Sequence, residues 1–64
     1  MKRNMARKYT AYVDTGTDYI TTEFESEHRK GSKANMEDCK NAMARRYGWT
    51  AHRWRILNIT RAVD

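Results

Sequence analysis

Residues 45–55, Arg45-Arg46-Tyr47-Gly48-Trp49-Thr50-Ala51-His52-Arg53-Trp54-Arg55, hold four arginines and three aromatic rings in eleven positions. A guanidinium pairs in bidentate fashion with a carboxylate or a phosphate, and an aromatic ring fills a protein pocket or stacks on a base. Trp, Tyr and Arg are also the side chains that dominate protein–protein hot spots, so the stretch suits a protein partner as well as a nucleic acid. A structural role is open too, with Trp49 and Trp54 closing the end of a small core and the arginine stems lying over them. Other chemistry has thinner support. The single cysteine, Cys39, has no partner for an internal disulfide, and His28 and His52 show no metal-ligand spacing with it. Gly31-Ser32-Lys33 lacks the strand and spaced glycine of a phosphate-binding loop. No catalytic residue, metal site or cofactor is expected.

Asp14-Thr15-Gly16, preceded by Tyr12-Val13, resembles the catalytic signature of the aspartic proteases, in which two such aspartates share a proton and activate water. The resemblance ends at Gly16. The apolar-apolar-Gly element of that family has its nearest counterpart in Ile56-Leu57-Asn58, where Asn replaces Gly. Turn chemistry accounts for the triplet without catalysis, since Gly16 accepts positive φ and Asp14 and Asp18 bond nearby amides.

The elements that would position these residues follow from spacing. Tyr9, Ala11 and Val13 alternate with Thr10, Tyr12 and Asp14, the period of a half-buried strand, and the turn at 14–18 leads into a second alternating run from Tyr19 to about Ser26. Residues 28–34 read as a loop. Asn35 is the expected N-cap of a helix whose Met36, Cys39, Met43 and Tyr47 form one apolar stripe, with Arg45 and Arg46 in the last turn and Gly48 at its end. Trp54 to Val63 is the expected third strand. The predicted fold is therefore α+β, β-β-α-β: a three-stranded, mainly antiparallel sheet with one helix packed on one face, spanning residues 8–64 behind a flexible basic arm at 1–7.

That arrangement leaves one sheet face open. With an unbroken last strand, Tyr9, Ala11, Val13, Ile20, Phe24, Leu57 and Ile59 face the helix, and Tyr12, Tyr19, Trp54 and Ile56 face outward among Thr21, Asn58 and Thr60. So many large apolar groups on an open face imply contact with another molecule, or a symmetric homodimer through that face. A one-residue bulge would instead turn Trp54 and Ile56 inward.

Sixty-four residues give one small domain, and Leu, Ile, Val and Phe together number seven, so Tyr, Trp and Met must complete the core. No apolar run approaches the roughly 20 residues of a membrane span, and the charged start is followed by no apolar signal segment, which predicts a soluble, cytoplasmic chain without a membrane partner. The net charge is +5, and it is segregated. Residues 1–13 carry four cations, residues 14–27 carry five carboxylates, and residues 28–64 carry nine cations and three carboxylates. Such a split suits an oriented electrostatic encounter.

The layout of basic arm, hairpin, one capped helix and last strand resembles the small accessory proteins encoded by bacteriophages, among them short inhibitors of host RNA polymerase whose last strand carries functional arginines. Here that strand holds Arg53, Arg55 and Arg61. The resemblance implies a non-enzymatic protein that docks on a host or viral protein in the bacterial cytoplasm. Trp49, Trp54, Tyr12 and Tyr19 would be its anchors, and Arg45, Arg46, Arg53 and Arg55 would pair with acidic groups. The alternative partner is a nucleic acid, contacted by Lys2, Arg3, Arg7, Lys8, Arg53 and Arg55.

Overall fold

The computed structural model describes residues 6–62. In chain order it contains β1 (Arg7–Asp14), β2 (Tyr19–Ser26), α1 (Lys33–Tyr47), a short 3-10 helix (Trp49–Arg53) and β3 (Arg55–Arg61). The three strands form one antiparallel sheet in the order β2-β1-β3, the α+β, β-β-α-β architecture that the spacing predicts. Part of the expected arm is structured, because β1 begins at Arg7. Lys2 and Arg3 lie outside the described residues.

The β1–β2 hairpin closes through its turn chemistry. Asp14 Oδ1 accepts from the Gly16 amide at 2.8 Å, and Thr15 Oγ1 accepts from the Asp18 amide at 3.1 Å. The Thr15 amide donates to the Asp18 carbonyl at 2.9 Å. Gly16 has φ of 101°, a left-handed conformation that costs glycine little. Asp14 is thus a turn-capping group, bonded to the backbone of its own loop. The register pairs Tyr9 with Phe24, Ala11 with Thr22 and Val13 with Ile20, so all six fall on one face.

Helix α1 lies on that face. Its N-cap is Ser32, whose hydroxyl accepts from the Asn35 amide at 3.1 Å. The expected N-cap, Asn35, sits inside the first turn and is fully buried, for a reason visible in its bonds: Oδ1 accepts from the Gly31 amide at 3.1 Å and Nδ2 donates to the His28 carbonyl at 3.2 Å. An amide carries its acceptor and its donor on separate atoms and so reaches both Gly31 and His28 under the loop, whereas a single oxygen suffices at the cap. Cys39 and Met43 of the helical stripe are buried, and Met36 packs against them from the edge. They close over Tyr9, Ala11, Val13, Phe24 and Ile59, with the Tyr9 and Phe24 rings stacked at 5.5 Å.

Strand β3 departs from an unbroken alternation. Tyr12 pairs with Asn58 but Val13 pairs with Ile56, so Leu57 is an extra residue, a β-bulge. Everything before it changes face. Ile56 turns to the core beside Val13, Trp54 packs against the core edge, and Leu57, expected inside, is left 41% exposed. The strand is also shorter than expected, starting at Arg55, with Trp54 as the C-cap of the 3-10 helix. Leu57→Thr should therefore change stability by no more than about 0.5 kcal/mol, as for an exposed site. Ile59→Thr should cost about 2 kcal/mol through a buried hydroxyl and a lost methyl. Thermal unfolding of the two variants checks the bulge, because an unbulged register requires Leu57→Thr to be damaging as well.

Candidate functional site

Gly48 separates two halves of the Arg- and aromatic-rich stretch. Its φ of 110° and ψ of 167° belong to a region that only glycine enters readily, and its amide caps α1 by donating to the Ala44 carbonyl at 3.0 Å. The chain then turns into the 3-10 helix. Ala51 is completely buried beneath it, and its amide and the Trp54 amide close the turn on Gly48 and Ala51 carbonyls at 3.0 and 3.1 Å. Held in this way, the segment points Trp49 into solvent at 81% exposure. The indole stacks on the His52 ring at 6.1 Å, and His52 Nε2 lies 3.3 Å from Glu37 Oε2 on α1. Trp49, Thr50, His52 and exposed Arg53 border a hollow of about 310 Å³. These form a rigid, projecting knob.

Trp54 does not join them. It is half-buried against the core, tilted on the Tyr47 ring at 5.5 Å, and so is a packing residue and not an exposed anchor. The arginine set is also divided. Arg46 Nη1 donates to Thr22 Oγ1 at 2.9 Å, with Tyr47 Oη bonded to the same hydroxyl at 3.4 Å, which ties the end of α1 to β2. Arg45 borders a hollow shared with Lys8, Glu23 and Glu25, so both helix arginines sit beside the acidic strand. Arg53 and Arg55 flank Trp54 on the other side, near the hairpin turn at Asp14, Thr15 and Gly16.

The open sheet face carries the second cluster. Tyr12 and Tyr19 are 46% and 59% exposed, with rings stacked at 5.8 Å and 18° between planes. Around them the register places Thr10 opposite Glu23 and Thr60, Tyr12 opposite Thr21 and Asn58, and Asp14 opposite Tyr19 and Arg55. Lys8 sits across from Glu25 at the far end, while Arg7 is exposed opposite Ser26. Asp14, Glu23 and Glu25 therefore share this face with the aromatic pair. Carboxylates in those positions repel a phosphate backbone.

One grouping invites a catalytic reading. Ser26, Asp38 and His28 line a polar hollow of about 510 Å³ at the end of β2. However, Ser26 is 3% exposed, its hydroxyl donates directly to Asp38 Oδ2 at 2.7 Å, and it accepts from the His28 backbone amide at 3.0 Å. A nucleophile also needs an approach for substrate, and at 3% exposure Ser26 has none. The bonds instead fasten β2 to α1. Among the described residues no group of three or more His, Cys, Asp or Glu is placed to hold a metal ion.

Cys39 is buried in the core, and desolvation pushes its thiol up to about 11, partly offset by Lys40. The unfolded chain releases this proton near the ordinary 9.0, before the folded chain does, so rising pH favours unfolding. Stability should be intact below pH 9 and fall as pH rises from there toward about 11. Cys39→Ala should flatten that part of a pH series of urea midpoints, and an unchanged slope in the variant would show that the thiol does not carry it.

Sequence reasoning missed one feature, the shallow hollow of about 300 Å³ between β3 and the start of α1, lined by Lys30, Gly31, Met36, Ile56, Leu57, Asn58 and Ile59. Spacing alone gives no signal for it, because it is the bulge that brings Leu57 to the surface beside Ile56 and Met36. No helix among the described residues is long and apolar enough to cross a membrane. No protein-family model matches the chain, and no curated protein or solved structure shows significant similarity to it.

Proposed function

We propose that this chain is a small, non-enzymatic docking protein of the bacteriophage accessory kind, which works by occupying an acidic surface of a larger host or viral protein. The observation that carries this reading is Trp49: a tryptophan 81% exposed, on a turn fixed by backbone hydrogen bonds and a buried alanine, with Arg53 beside it. An exposed indole on a rigid support loses little conformational entropy when it enters a pocket, and a neighbouring guanidinium supplies direction. Arg55 and the Tyr12–Tyr19 pair extend the surface around the hairpin turn.

Charge distribution favours protein over nucleic acid as the partner. The carboxylates on the open sheet face oppose phosphates, and Arg46 is bonded to Thr22 of β2 with Arg45 beside the same acidic strand. Binding of the full chain to labelled double-stranded DNA and single-stranded RNA across about 50–200 mM salt tests this directly. The expected result is weak binding that collapses over that range, in the manner of non-specific electrostatics. Submicromolar affinity persisting at the upper end would transfer the role to Lys2, Arg3, Arg7, Lys8, Arg53 and Arg55 as phosphate contacts.

A further inference from the structure

The open sheet face carries charges of both signs, and the register fixes where each one lies. At the end away from the hairpin turn, β1 presents Lys8, with Glu25 beside it on β2. At the turn end β1 presents Asp14, with Tyr19 beside it on β2 and Arg55 on β3. Thr10 and Tyr12 lie between the two ends on β1. No ion pair joins Lys8, Glu25, Asp14 or Arg55 to another described residue, although they stand opposite one another in pairs. The Tyr12 and Tyr19 rings are the large apolar groups of this face, and both are exposed.

We propose that this face is the interface of a symmetric homodimer, in which β1 of one copy lies antiparallel over β1 of the other. A two-fold axis in the interface plane and perpendicular to the strands exchanges the two ends of the face. Lys8 of each copy then stands over Asp14 of the other, and Glu25 stands over Tyr19, whose hydroxyl donates to it. Thr10 meets the Tyr12 ring, and Glu23 meets Thr21. An axis parallel to the strands would instead set Lys8 on Lys8 and Asp14 on Asp14, so charge selects the antiparallel arrangement. Twisted sheets packed face to face cross at about 30°, which shifts the strand ends by roughly 5 Å, within reach of a lysine side chain. Carboxylates on the face oppose a nucleic acid and an acidic protein surface alike, Lys8 and Arg55 oppose a basic one, and a second copy answers both signs. The face is small, three strands of seven or eight residues, so it forms a weaker dimer than one burying the usual ~800 Å² per copy. The inference is independent of the docking reading. Trp49, beside His52 and Glu37 of α1, stays free on each copy, whereas a docking partner that reaches past Arg55 onto the two tyrosine rings would displace the second copy.

The test is sedimentation equilibrium of the full chain, which should give particles of one chain at about 5 µM and close to two chains at about 1 mM. Lys8→Glu sets carboxylate over carboxylate, and Tyr12→Ala removes the central ring. Each should weaken the dimer by about tenfold or more, and Lys8→Glu, at an exposed position, keeps the test intact should Tyr12→Ala disturb the strand. Orientation is read by mixing isotope-labelled wild type with an unlabelled copy that carries a spin label at Glu25→Cys, with Cys39→Ala to remove the second thiol. Amides of Asp14 and Tyr19 in the wild-type copy should broaden. Broadening at Lys8 and Ala62 instead would mean the parallel arrangement and would overturn the proposal. So would a chain that remains monomeric at about 1 mM, or a dimer that Lys8→Glu leaves intact. Loss of the dimer with Trp49→Ala but not with Tyr12→Ala would overturn it in favour of self-association through the knob.

Discussion

Asn35→Ala should leave the domain barely folded at 37 °C, with a loss of about 2–4 kcal/mol. The residue is fully buried, and its amide holds the 28–31 loop from both sides: the Gly31 amide donates to Oδ1, and Nδ2 donates to the His28 carbonyl. That carbonyl also accepts from Tyr9 Oη at 3.2 Å, so the loop, the helix and the central strand meet at one point. Alanine strips the Gly31 donor of its partner, about 1–3 kcal/mol, and leaves a small void in addition. A chain of this size, with a single cysteine and no group of metal-ligating side chains among its described residues, has only about 3–5 kcal/mol to lose. Urea unfolding of the variant reads the loss directly, and a change below about 0.5 kcal/mol would mean that the buried amide does not organise the loop.

Trp49→Ala should do the opposite, weakening partner binding by about 30-fold, or about 2 kcal/mol, with stability unchanged to within about 0.5 kcal/mol. Its indole is in solvent and contributes only its stack on His52 to the fold. Trp54→Ala, by contrast, should cost about 2–3 kcal/mol of stability, because that ring packs on Tyr47 and the core edge. The pair is decisive when binding and unfolding are both measured. Were Trp54→Ala to reduce affinity more than Trp49→Ala without unfolding the protein, the binding surface would have been placed on the wrong tryptophan.

Strong local patterns made much of this fold legible. Alternation in β1 and β2, the Asp-Thr-Gly turn and the spacing of Met36, Cys39 and Met43 each have one good structural solution, and each takes it. The helix start was expected at Asn35, whereas the N-cap is Ser32, another good capping residue three positions earlier. Asn35 is held inside by tertiary demand for an acceptor and a donor on separate atoms, which leaves the cap to Ser32. The last strand was ambiguous. Ile56-Leu57-Asn58-Ile59 places apolar residues in both phases of a period of two, so the pattern tolerates a one-residue insertion, and packing of Ile56 against Val13 selects it.

The candidate site was legible in composition but not in arrangement. Residues 45–55 are contiguous in sequence, yet the backbone turn at Gly48 sends Arg46 toward Thr22 and Trp49 into solvent. Residue types alone cannot report that change of direction. Nor could they show that Trp54 serves the core while Leu57, a residue expected inside, lies on the surface.

The most direct measurement is capture of partners from bacterial lysate by the tagged full chain, with and without nuclease, at about 200 mM salt, alongside Trp49→Ala. The expected result is one stoichiometric protein that survives nuclease treatment and is lost with Trp49→Ala. Recovery of mixed nucleic acid that disappears with nuclease, retained equally by Trp49→Ala, would contradict it.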